Sequence, residues 1–132
     1  MILFSWNCRG ISQASVVRHL RAIVQEFNPE CIFLTETKVG VPKMQDIVNS
    51  LGFLHSEIVP AVNRSGGLCL CWRAGIDIEI TVANESHISA LVFSDPAETP
   101  WLLTCVYTSP YKHLQFHLWD SLAQTSVAHA GP

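Results

Sequence analysis

The chain has 132 residues, enough for one domain; 48% are hydrophobic and only 14% carry a charge. A net charge of −3 excludes a broad basic surface, so any contact with nucleic acid has to be local or carried by a metal ion. A mean hydropathy of +0.26 predicts a sizeable core, or a share in a larger one.

The opening MILFSW is too short for a signal sequence and lacks a basic flank, and no apolar run is long enough to span a bilayer. An intracellular protein, nuclear or cytoplasmic and without a membrane partner, is the expectation. Residues 2–7 form an apolar run of strand-forming residues. Ser12 or Ser15 then suits the cap of a helix running to about Phe27, with Val16, Leu20, Ile23 and Phe27 as its apolar stripe. Asn28-Pro29 ends it, because proline disfavours helix at the preceding residue.

Residues 31–36 make a second strand. Pro42 suits the first turn of a second helix, on which Met44, Ile47, Val48 and Leu51 repeat at helical spacing before Gly52 stops it. Residues 53–60 read as an edge strand, NRSGG (63–67) as a turn and 68–73 as a strand. Ile76, Ile78, Ile80 and Val82 alternate with polar residues, which predicts a strand with one wet face. Strands over 87–94 and 101–107 follow, and Ser109-Pro110 opens a last helix carrying Leu114, Leu118 and Leu122. The order predicts a mixed α/β fold with a sheet covered by helices on one face.

Cys8, Cys31, Cys69, Cys71 and Cys105 lie mostly inside apolar runs, as reduced thiols do. Cys69 and Cys71 share a strand face ~6.5–7 Å apart, too far for an easy disulfide. No second pair at zinc-ligand spacing follows them, so these two read better as small buried hydrophobes than as half of a metal site.

A right-handed crossover makes the strands over 2–7 and 31–36 parallel, so they end at one sheet edge, at Asn7 and Glu36. The strand ending at Tyr107 also feeds a helix, which suggests the same direction. A carboxylate, a carboxamide and a phenol would then meet where α/β sheets commonly bind ligands. Mg²⁺ takes oxygen ligands and often only one or two carboxylates, so Glu36 suits a metal ligand and Asn7 its orienting neighbour. Tyr107 could donate to a phosphate oxygen. Each residue also has a plainer reading. Glu36 suits a strand-end charge in water, Asn7 a turn or cap before Gly10 and Ser12, and Tyr107 a strand residue with a surface hydroxyl.

FSWNCRGI (4–11), IFLTETK (32–38), RSGGLCLCW (64–72) and VYTSPY (106–111) with HLWDSL (117–122) occur in that order. Together they resemble the endonuclease domain of plant LINE-type (non-LTR) retrotransposons, in the endonuclease/exonuclease/phosphatase superfamily, over essentially the whole chain. The resemblance implies a two-sheet α/β sandwich that cleaves DNA phosphodiesters with Mg²⁺ or Mn²⁺. By position, Asn7 resembles the asparagine beside the metal, Glu36 the metal-binding glutamate and Tyr107 the phosphate-contacting tyrosine. Arg64 to Gly67 match a turn whose glycines serve backbone geometry.

That family continues to a Gly-Asp-Phe-Asn motif and then to a Ser-Asp-His motif. This sequence carries neither, and His113 and His117, four apart on a helix, are no replacement for the missing histidine. Residues 1–132 are therefore expected to be one incomplete domain, truncated before its second half. The second sheet is expected to be missing, leaving apolar sheet surface open to self-association. Weak metal binding and little or no cleavage follow. The alternatives are a non-catalytic retroelement remnant or interaction module, and another phosphoesterase of the superfamily.

Overall fold

The computed structural model describes residues 1–63, 65–94 and 99–107. Two compact units divide the chain, Met1–Ile76 and Asp77–Pro132. In the first, the order is β1 (Leu3–Asn7), α1 (Ala14–Phe27), β2 (Cys31–Thr35), α2 (Val41–Ser50), β3 (His55–Val59) and β4 (Leu68–Trp72). These strands form a four-stranded sheet in the order β1-β2-β4-β3. β1 and β2 are parallel, as the crossover rule requires, while β4 runs antiparallel to both its neighbours.

The unbroken apolar runs CIFLT and LCLCW become the two central strands because only a strand buried on both faces accommodates them. β1 is an edge strand and alternates between exposed and half-buried positions. Ile32, Leu34, Cys69 and Cys71 pack with Leu20 and Val24 of α1 and with Met44, Ile47 and Val48 of α2. The expected sheet with helices on one face is thus present in this unit.

Two details of α1 differ from expectation. No serine caps it: Gln13 occupies the cap position without a side-chain hydrogen bond, and its carbonyl accepts from the Val16 and Val17 N–H groups. Burial of Ile11 fixes the preceding loop and so delays the helix start past Ser12. Of the expected stripe Leu20 is buried and Val16 packs half-buried against the core, but Val24 with Val17 completes the buried face and Phe27 is 56% exposed. The C-terminus falls where expected, because Asn28 adopts the left-handed conformation and Pro29 follows. In α2 the expected stripe and the Pro42 start both hold.

The second unit contains β5 (Ile78–Ala83), β6 (His87–Val92) and β7 (Trp101–Val106) in an antiparallel sheet of order β5-β6-β7. A second sheet is therefore present, contrary to the expectation that it would be missing. The three strands pair in sequence order. Asn84 Oδ1 accepts from the Ser86 and His87 N–H groups and closes the β5–β6 turn. The alternation of β5 breaks at a bulge between Ile80 and Val82, where Thr81 turns its hydroxyl to the Ser89 carbonyl.

The mixed α/β, two-sheet fold class thus stands. Among the described residues no helix is long and apolar enough to cross a membrane. The expected last helix, with His113 and His117, lies outside the described residues.

All five cysteines are buried free thiols. Burial, with smaller contributions from Cys69 and the Glu36 carboxylate, pushes Cys8 up to about 12, and burial pushes Cys105 up to about 12. A raised thiol pKa favours the folded state in full below the unfolded thiol's ordinary value. That stability is lost as pH rises from about 9 toward 12, because only the unfolded thiol ionises there. Folded protein should accordingly resist a thiol-exchange dye at neutral pH and release its thiols only on denaturation. Rapid labelling of Cys8 in the folded state would contradict this.

Candidate functional site

The strand register lines up one rim of the first sheet. Asn7 lies opposite Thr35, Thr35 opposite Leu68, and Leu68 opposite Val59. Three loops leave from this row: the one after β1, the one after β2, and the β3–β4 connection. They are laced together by main-chain hydrogen bonds beyond the strands. The N–H groups of Cys8, Gly10 and Ile11 donate to the carbonyls of Thr35, Glu36 and Thr37, at 2.9, 2.8 and 3.0 Å. On the other flank, Thr37 N–H donates to the Gly67 carbonyl and Lys38 N–H to the Gly66 carbonyl, at 3.2 and 2.8 Å.

Glu36 stands one residue beyond β2, half-buried, with φ at +51°. Left-handed backbone at a residue other than glycine costs about 1–3 kcal/mol and persists only when its surroundings enforce it. Here Arg9, Lys38 and Asn63 share that conformation with Gly10, Gly66 and Gly67, all in the three rim loops. Such clustering marks a rim built to hold side chains in set positions.

Asn7 is exposed, and its Oδ1 accepts from the Arg9 N–H at 3.1 Å. The carboxamide therefore makes the turn that was its plainer reading, which also fixes its orientation beside the Glu36 loop. Tyr107 lies in the second unit just past β7, and its N–H donates to the Ser86 carbonyl at 2.9 Å. Because β7 pairs with β6, Tyr107 follows a strand of the three-stranded sheet, whereas Asn7 ends and Glu36 follows strands of the four-stranded one.

The donor set at the first rim is a carboxylate and a carboxamide on adjoining loops, and both offer the hard oxygen atoms that Mg²⁺ prefers. Among the described residues no group of three His, Cys, Asp or Glu side chains could hold a metal ion. An ion here would rest on Glu36 with water filling most of its shell.

Residues beyond the sequence-based candidates complete the rim. Thr37 is 1% exposed, and a side chain at Gly67 would run into its Oγ1. The stem of Lys38 crosses over Gly10, 3.7 Å from where a Cβ would stand. An open groove of about 500 Å³ is lined by Arg9, Gly10, Ser12, Gln13, Val16 and Lys38. Sequence reading had only the turn glycines as a signal for this bracing.

No protein-family profile and no curated protein matches the chain. Solved structures do. An AP endonuclease from Leishmania major aligns with 81% of this chain and 40% of its own at 15% identity, with a TM-score of 0.59. The catalytic domain of Xenopus laevis APE2 aligns with 99% and 55% at 16% identity and 0.60. TDP2 from Caenorhabditis elegans aligns with 98% and 43% at 16% and 0.55. These neighbours share the endonuclease/exonuclease/phosphatase-like fold, and this chain has that fold over the matched part. It spans roughly half the length of the structures it matches.

Proposed function

We propose that the chain is the N-terminal portion of a metal-dependent phosphodiesterase acting on DNA, of the retrotransposon type that its motifs resemble. The observation that carries this reading is the lacing of the Asn7 and Glu36 loops at the carboxyl ends of adjacent parallel strands. Its support is the match of the whole chain to nuclease structures at the level of fold.

In this reading Glu36 binds Mg²⁺ or Mn²⁺, Asn7 orients the glutamate, and Tyr107 donates to a phosphate oxygen. A bound ion polarises the phosphate and stabilises charge on the leaving oxygen. With one carboxylate on hand, this chain alone should bind the ion weakly and cleave poorly. Removing general-base machinery typically lowers rates by about 10²–10⁴-fold.

Mn²⁺ added to labelled protein should broaden the amide signals of Asn7, Glu36 and Thr37 first, and Glu36→Ala should abolish that. Supercoiled plasmid should remain essentially unnicked with Mg²⁺. Broadening that survives Glu36→Ala overturns the metal assignment. Efficient nicking that Glu36→Ala abolishes would keep the site and overturn the expected inactivity.

The competing reading, a non-catalytic module that self-associates, draws on Ile2 and Leu3, 53% and 39% exposed where edge strand β1 begins. A solution mass that rises with concentration, and is restored to the monomer by Leu3→Lys, would favour it.

A further inference from the structure

The groove beside the Glu36 loop differs in character from the rest of this acidic chain. Among the described residues that line it, Arg9 and Lys38 are cations, none is acidic, and the others are Gly10, Ser12, Gln13 and the half-buried Val16. Arg9 and Lys38 come from different loops yet line one groove, because Gly10 N–H is tied to the Glu36 carbonyl and the Lys38 stem lies across Gly10. Among the described residues neither the Arg9 guanidinium nor the Lys38 ammonium has an ion-pair partner. Both stand on left-handed backbone, a costly conformation, and two cations lining one groove suit an anionic occupant.

The start of α1 lines the same groove through Gln13 and Val16. Gln13 caps it with its backbone only, its carbonyl accepting from the Val16 and Val17 N–H groups, and the first turn carries no acidic side chain to offset the positive end of the helix dipole. The Ser12 hydroxyl and Gln13 carboxamide add donors at the same end. The volume lies within the ~300–1,000 Å³ that small-ligand sites occupy, which suits a nucleotide-sized segment better than a lone ion. Val16 offers an apolar patch for a sugar.

We infer that this groove holds a backbone phosphate of a nucleic-acid strand next to the one at Glu36, clasped by Arg9 and Lys38. The inference rests on the phosphodiesterase reading and deepens it: it supplies the strand-positioning contact that a lone carboxylate lacks. Because the chain's net charge is −3, little general attraction competes with this local pair.

Binding of a short fluorescein-labelled single-stranded DNA to the full chain, followed by anisotropy in EDTA, isolates the groove from the metal centre. Arg9→Gln and Lys38→Gln should each weaken binding about tenfold. Each should also reduce the salt dependence, by about 0.7 in the slope of log K against log salt. Arg18→Gln, on exposed helix surface outside the groove, should change neither. In the unsubstituted protein the same DNA should shift the Ser12 and Gln13 amide signals and leave those of Gln45 and Asn49 in place, which holds whether or not a variant folds. Equal binding by the Arg9→Gln/Lys38→Gln variant, or no binding at low salt, overturns the inference while the Mn²⁺ experiment on Glu36 stands or falls separately. Saturation of the same shifts by inorganic phosphate, with no tighter binding of DNA, would also overturn it by reducing the site to an oxyanion pocket.

Discussion

Gly67→Ala should destabilise the first unit by about 2–4 kcal/mol, more than a single added methyl ordinarily costs. Two terms combine. Gly67 sits at φ +98°, where a side chain is strained, and its Cβ would drive into Thr37 Oγ1 and press on backbone at Lys38 and Ala61. Thr37 is buried and tied on both sides, to Ile11 N–H and to the Gly67 carbonyl, so it has little room to yield. Gly66→Ala isolates the first term, because at φ +71° nothing stands within 4 Å of its added carbon. It should cost only about 1–2 kcal/mol. Urea midpoints at unchanged m for the two variants give the comparison directly.

The clash also identifies what the turn is for. Thr37 follows Glu36, so a displaced Thr37 carries the carboxylate with it. Thr37→Ala removes Oγ1, and the double variant Thr37→Ala/Gly67→Ala should recover part of the loss, a coupling that a double-mutant cycle measures. Contacts to the Lys38 and Ala61 backbone remain, so recovery stays incomplete. Additive losses would show that the two residues do not press on one another.

How much of this was legible in the sequence depends on which force decides each element. Where burial decides, the residues were explicit: CIFLT and LCLCW announce central strands, and Met44, Ile47 and Val48 announce the face of α2. The α1 stripe was placed only in part, at Val16 and Leu20, because Val17, Ile23, Val24 and Phe27 offer overlapping alternatives and only packing against the sheet selects Val24. The second sheet was underestimated because a motif match reports on residues near the site, whereas β5–β7 form by local antiparallel pairing that needs no motif. At the rim, Asn7 and Glu36 stood out as polar residues ending apolar runs. Arg9 and Lys38 did not, since an exposed cation has no periodicity, and only the loop-to-loop hydrogen bonds reveal that the two line one groove.

The opposite end of the same sheet provides the second large effect. Phe53→Ala should cost about 3–5 kcal/mol, the usual range for removing a buried aromatic ring. Phe53 is 1% exposed and belongs to the cluster that joins α1, α2 and the sheet. Its ring also carries the Arg73 guanidinium, 4.6 Å from the ring centre, which orients the Arg73 Nε–H toward the Pro29 carbonyl at 2.9 Å. Arg73 N–H meanwhile donates to the Glu30 carbonyl at 3.0 Å, so one arginine ties the chain after β4 to the chain before β2. Loss of the ring should loosen that tie as well as open a cavity. Arg73→Ala alone should cost less, about 1–2 kcal/mol, because main-chain bonds survive it. Phe53→Leu should retain most of the packing and forfeit mainly the cation–π contact. If Phe53→Ala shifted the urea midpoint no more than Arg73→Ala, the ring would be acting only as the arginine's platform, and the core would close without it.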